Sequence, residues 1–151
     1  NQGTAWYALN FDDSTWKTGQ AELGYGDGGE KTILSYGGNP NAKYITAYFR
    51  KSFSVTNPGA YTRLFIRLIR DDGAVVYLNG VEIARSNLPA GTLSYTTLAS
   101  LDVTGTAESA VNVINLNPSM LRAGKNVVAV RVHQVSPSSD DMSFDFALIA
   151  Q

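Results

Sequence analysis

The chain reads as an all-β protein, a two-sheet antiparallel β-sandwich. Three observations carry this reading: short β-compatible runs recur between Gly, Pro, Asn and Ser residues, an Asn-Gly dipeptide joins two of them, and helical periodicity is almost absent. At 151 residues the chain fits one domain, spanning residues 1–151, with a core of its own.

The elements follow in order. Phe11-Asp12-Asp13-Ser14-Thr15-Trp16 has the form of a turn, with Phe11 and Trp16 spaced to staple it, so Trp16 is expected to pack beneath the surface. Trp6 fits packing or ligand stacking equally well. Gly24 to Tyr44 holds six of the glycines together with Tyr25, Tyr36 and Tyr44, and reads as a long ordered loop with a little strand. Tyr48 to Val55 is a strand with Phe49, Phe53 and Val55 on one side, and Asn57-Pro58-Gly59 turns the chain. Arg63 to Arg70 follows, with Leu64, Ile66 and Leu68 sharing a face. Ala74–Leu78 and Val81–Arg85 flank Asn79-Gly80, which tolerates positive φ at both central turn positions, so a tight hairpin is expected. Further strands are expected at Leu98–Val103, Val111–Leu116, Asn126–Val132 and Phe144–Ile149. One helical turn is expected at 117–121, capped by Asn117 with Pro118 in the first position.

Composition narrows the function. With no cysteine, disulfides, thiolate metal sites and thiol catalysis are excluded. Twelve Lys and Arg against thirteen Asp and Glu, scattered along the chain, disfavour a nucleic-acid partner. No apolar run approaches the roughly 20 residues a membrane helix needs. The absence of an initiating Met at Asn1, together with low charge and abundant Gly, Tyr, Ser, Thr and Asn, suggests a module excised from a larger exported bacterial protein.

Three segments carry a resemblance: Ala47-Tyr-Phe-Arg-Lys-Ser-Phe-Ser-Val55, Leu68-Ile-Arg-Asp-Asp-Gly-Ala-Val-Val-Tyr-Leu-Asn-Gly80 and Leu121-Arg-Ala-Gly-Lys-Asn-Val-Val-Ala-Val-Arg-Val132. Over residues 47–135 the chain resembles galactose-binding-like jelly rolls, above all the sugar-binding β-sandwich that precedes the barrel in family 2 glycoside hydrolases, and related carbohydrate-binding modules. The resemblance implies a jelly-roll sandwich, ligand contacts from loops at one end, and frequently a structural calcium ion. Phe11 to Trp16 also looks like an opening turn of such modules, where it serves packing.

Sugar recognition needs flat aromatic faces and planar hydrogen-bonding groups. Tyr25, Asp27, Tyr36, Asn39, Asn41 and Tyr44 supply them from one loop-rich stretch, while His133, Gln134, Asp140 and Asp141 come from the last inter-strand loop. For calcium, which wants six to eight oxygens, Asp12-Asp13 and Asp140-Asp141 are the candidate ligands, with Asp71-Asp72-Gly73 and Asp145 as further sources. His133, the one histidine, reads as a strand-end edge residue rather than a catalyst. No Gly-x-Ser-x-Gly elbow or singled-out carboxylate pair points to catalysis, and Gly24-x-Gly26-x-Gly28-Gly29 precedes no helix that would make it a phosphate loop. The expected function is a non-catalytic module, not an enzyme, that holds a linked secreted catalytic domain on a polysaccharide or oligosaccharide. The rival is a structural or adhesive spacer, or a protein-docking sandwich, without sugar affinity.

Overall fold

The structure is a computed structural model describing residues 1–151. Its nine strands are β1 (Leu23–Tyr25), β2 (Thr32–Ile33), β3 (Thr46–Val55), β4 (Leu64–Arg70), β5 (Gly73–Leu78), β6 (Val81–Ser86), β7 (Asn112–Leu116), β8 (Gly124–His133) and β9 (Met142–Ala150). They form two sheets, β2-β1-β9-β4-β7 and β3-β8-β5-β6, antiparallel except for the short β1–β2 pair. The fold is thus the all-β sandwich expected.

The alternation read in the sequence sets the core. Leu64, Ile66 and Leu68 of β4 are buried against Val76, Leu78, Val128, Val130 and Val132 of the facing sheet, with Phe49 and Phe53 packed alongside. In β8 every residue from Asn126 to His133 is buried. Its inner face joins the core, and its outer face is covered by the N-terminal turn at Ala5–Tyr7 and by the long connection after β6. Burial on both faces explains the unbroken apolar run Val127–Val130.

The β5–β6 hairpin turns at Asn79 and Gly80 with φ of 53° and 87°, the positive pair its turn requires. Asn79 does more than turn the chain. Its Oδ1 accepts from Val127 N (2.9 Å) and its Nδ2 donates to Asn126 Oδ1 (2.9 Å). Asn126, fully buried, in turn donates to the carbonyls of Arg122 (2.8 Å) and Gly124 (3.1 Å). The two Asn-containing motifs singled out in the sequence therefore interlock. The expected turn at 117–121 is a 3-10 turn at Pro118–Met120, and the Asn117 side chain caps it through Ser119 N.

One expected strand is absent. Leu98 to Val103 lies within the β6–β7 connection, which side chains hold where a ladder was expected. Asp72, fully buried, accepts from Val103 N (2.8 Å) and Val135 N (2.7 Å). Asn87 accepts from Leu101 N and donates to the carbonyls of Asp72 and Leu101. With its backbone groups satisfied in this way, the segment has no need of a neighbouring strand.

The sandwich is open along one side. β3 pairs only with β8, and β9 beyond Phe144 pairs only with β4, because the antiparallel β1 begins only at Leu23, opposite Phe144. Phe49 and Phe144 stack across the gap with ring centroids 4.1 Å apart.

Candidate functional site

Two neighbouring surfaces carry chemistry. The first is the open side. A groove of about 700 Å³ runs between β3 and β9, with Phe49, Phe53, Phe144, Phe146 and Leu148 in its walls. Trp16 stands on its rim, half-buried and edge-on to Phe11 at 5.7 Å. Polar groups come from Asp13, Lys17, Thr18, Arg50, Lys51 and Ser52. A smaller pocket of about 140 Å³, lined by Tyr25, Tyr36, Tyr44 and Met142, shares Tyr48 and Phe49 with the groove and so adjoins it. Lys43 lies over the Tyr25 and Tyr36 rings at 5.9 and 5.4 Å and donates to the Ser139 carbonyl.

The second surface is a cluster of carboxylates at the end of the sandwich where β1 meets β9. Gly24 and Gly26 bring β1 and the segment leading into β9 together. A Cβ on Gly24 would lie 1.8 Å from the Met142 carbonyl oxygen, and one on Gly26, whose φ is +109°, would lie 2.6 Å from Asp141 Cβ. This close approach sets Asp27 beside Asp141, and Glu108 joins them from the β6–β7 connection, with carboxylate oxygens of all three within 4.8 Å of one another. The Ser143 hydroxyl lies between Glu22 Oε1 (2.9 Å) and Asp27 Oδ2. Behind them sits Asp71, 1% exposed, with both carboxylate oxygens unpartnered. Burial, followed by the neighbouring Asp72 and Asp141 carboxylates, pushes its pKa up to about 9. Asp141 is raised too, first by burial.

The expected ligand residues divide between these places. Tyr36 and Tyr44 line the small pocket, Tyr44 with 62% of its surface exposed. Asn39 is exposed and caps its own turn through Asn41 N. Tyr25, His133 and Gln134 are buried, so they brace the site from within and offer no face for stacking. Gln134 Nε2 donates to Tyr25 Oη (2.8 Å) and to the Asp141 carbonyl, tying the tyrosine to the acidic loop. Asp27 belongs to the carboxylate cluster.

The four expected metal ligands do not form one set. Asp12 accepts from Ser14 N, and Asp13 pairs with Arg50 at 2.8 Å. Asp140 is exposed, and Asp141 alone enters the cluster. The calcium that the resemblance implies nevertheless finds an all-oxygen donor set in Asp27, Glu108 and Asp141, backed by the orphaned carboxylate of Asp71. Glu108 and the groove carried no signal in the sequence. Glu108 is an ordinary loop acid, and the groove phenylalanines alternate as any core strand would.

His133 is not an edge residue. It is fully buried in β8, between β3 and β5. Its Nδ1 lies 2.6 Å from the Thr97 carbonyl, which can only accept, so Nδ1 carries the proton and Nε2 is bare. Burial lowers its pKa to about 4. NMR of this single histidine is expected to show a neutral Nδ1–H tautomer down to about pH 4. Because its unfolded value is the higher one, near 6.5, the stability His133 contributes is present in full above pH 6.5 and is lost as pH falls toward 4. Titration near 6.5 would show an exposed ring instead.

No protein-family model and no curated protein sequence matches the chain. Solved structures do. A β-glucuronidase of glycoside hydrolase family 2 matches 88% of the chain at 24% identity with a TM-score of 0.55. A second, β-glucuronidase 2 of Bacteroides uniformis, matches 97% at 19% identity with a TM-score of 0.57. The chain spans 12% and 16% of those two enzymes, and the likeness is one of fold. No helix is long and apolar enough to cross a membrane.

Proposed function

We propose that the chain is a non-catalytic carbohydrate-binding module of a secreted glycoside-active enzyme, and that it holds a polysaccharide along the β3 edge. The observation that carries this reading is the groove beside Trp16. Its volume suits several sugar units, its walls are aromatic, and charged and hydroxyl side chains stand along its rim. The adjoining pocket of Tyr36 and Tyr44 extends the same line. The fold is shared with part of two β-glucuronidases, and the small fraction of each that it covers is consistent with an accessory role beside a separate catalytic domain. Modest affinity in the isolated module would be amplified by tethering.

Affinity electrophoresis against a panel of soluble polysaccharides tests the proposal. At least one polymer is expected to retard the module, and Trp16→Ala to weaken that binding by roughly tenfold, about 1.4 kcal/mol, with the circular dichroism spectrum unchanged. Tyr44→Ala should weaken it less. If no polymer retards the module, the spacer reading takes its place. If retardation is untouched by either substitution, the sugar lies elsewhere on the surface.

A further inference from the structure

We propose that the groove beside Trp16 takes an acidic polysaccharide, one whose rings carry carboxylate or sulfate groups, and that Lys51 and Lys17 receive the negative charge. This rests on the binding-module reading and narrows its ligand class.

Lys51 is the observation that carries it. Side chains two apart in a strand share a face, and on β3 Ala47, Phe49, Phe53 and Val55 all pack against the core. Lys51 has the same parity. It therefore stands on the core side of the strand, between Phe49 and Phe53 and paired with the buried Val128 of β8. In a closed sandwich a lysine in this row would lose the water around its charge, which is costly. Here the row borders the open side, and Lys51 is exposed and lines the groove together with both phenylalanines. A cation is thus set into an aromatic wall. It can hold an anionic substituent while the C–H face of the same sugar ring lies on a neighbouring phenylalanine.

The distribution of charge points the same way. The chain carries a formal net charge of -1, with 13 Asp and Glu against 12 Lys and Arg. The groove reverses that sign. Its lining holds Lys17, Arg50 and Lys51 against a single acid, Asp13, and no acid lines the adjoining tyrosine pocket. Arg50 and Asp13 pair at 2.8 Å and cancel, the guanidinium being 2% exposed. Lys17 and Lys51 are left exposed, and neither takes part in either of the chain's two ion pairs. Lys43 adds positive charge beside the pocket, over the Tyr25 and Tyr36 rings. Acids gather instead where β1 meets β9, around Asp27, Glu108 and Asp141.

Free ammonium groups in a trough with apolar walls focus their field along it, so an anionic chain is drawn to this side and repelled from the carboxylate end. A neutral polysaccharide makes no use of them. An ammonium is a compact point charge without the planar fork of a guanidinium, so it suits a carboxylate and a sulfate alike.

Affinity electrophoresis against matched polymers tests the inference. Pectate and alginate are each set against their esterified, uncharged forms, and dextran sulfate against dextran, all in EDTA so that no metal ion bridges polymer and protein. At least one acidic polymer is expected to bind roughly tenfold or more tightly than its neutral partner, and the pair that shows the difference identifies the substituent as carboxylate or sulfate. Raising the salt from about 0.05 to about 0.5 M should erase most of that preference, since exposed charges are screened. Lys51→Gln should weaken acidic binding by roughly tenfold and Lys17→Gln by roughly threefold, with Tm unchanged. Arg67→Gln, on the outer face of β4, should leave binding as it was. Equal binding within every pair, or a preference kept within threefold when Lys17 and Lys51 are both replaced by Gln, overturns the inference. If Trp16→Ala then still weakens binding of a neutral polymer, the binding-module reading survives its loss. If no polymer is bound, both fall. Self-association of Lys51→Gln with no loss of affinity would make Lys51 a guard of the free β3 edge and likewise overturn the inference.

Discussion

Arg50→Ala is expected to cost about 4 kcal/mol and to release the first sixteen residues from the sandwich. The Arg50 side chain, on the outer side of β3, is 2% exposed. It donates to Asp13 Oδ2 at 2.8 Å and to the carbonyls of Trp6, Ala8 and Phe11, and lies over the Phe11 ring at 5.1 Å. One guanidinium thus organises a segment that has no strand of its own. What it holds in place is Trp6, fully buried, with Tyr7, Tyr48 and Tyr77 edge-on at 5.5, 5.0 and 5.6 Å. Without Arg50 the carboxylate and carbonyls return to water, and Trp6 loses the strap that seats it. Arg50→Lys should recover only part, since an ammonium cannot serve this many acceptors in the plane of a fork. Urea melts measure the loss, and limited proteolysis should show new cleavage before residue 17. A loss below 1 kcal/mol with no new cleavage would mean that aromatic packing alone seats the segment.

Asn126→Ala is expected to destabilise the protein by about 3 kcal/mol. The side chain is fully buried and all its hydrogen-bonding capacity is used, with Oδ1 accepting from Asn79 and Arg122 N and Nδ2 donating to two carbonyls. Truncation removes the partner of the Arg122 amide, of the Arg122 and Gly124 carbonyls and, in the buried interior, of the Asn79 side-chain amide. Asn126→Asp should be about as damaging, because it keeps the acceptor but removes both donors. A double-mutant cycle with Asn79→Ala should show that the two losses do not add, since each substitution already breaks the shared bond. Strict additivity in chemical denaturation would show that the two asparagines act separately.

The sequence made the strands legible wherever a local rule coincided with the global fold. Phe49, Phe53 and Val55 alternate because one face of β3 is buried, and Asn79-Gly80 turns because few other pairs tolerate its backbone angles. Leu98 to Val103 misled because β-propensity is local, whereas the groups that claim this backbone, Asp72 and Asn87, lie up to 31 residues away. The site was half legible for a similar reason. Residue type marked Asp141 and the Asp71-Asp72 pair as oxygen sources and the tyrosines as aromatic faces. It could not show that Tyr25 and Gln134 turn inward, that Glu108 folds back onto Asp141, or that β1 begins late enough to leave a groove. Those depend on how loops meet, which no spacing records.

The order of the strands bears on how the molecule is made. β8 lies between β3 and β5, and β9 between β1 and β4, yet these two central strands come last in the sequence of the sandwich. Until residues 124–150 have emerged, β3 has no partner at all, and β4 and β5 have only their outer neighbours, β7 and β6. A nascent sandwich that lacks them therefore has little to fold onto. Closure of both sheets therefore waits on the last two strands of the sandwich, which complete the two layers together.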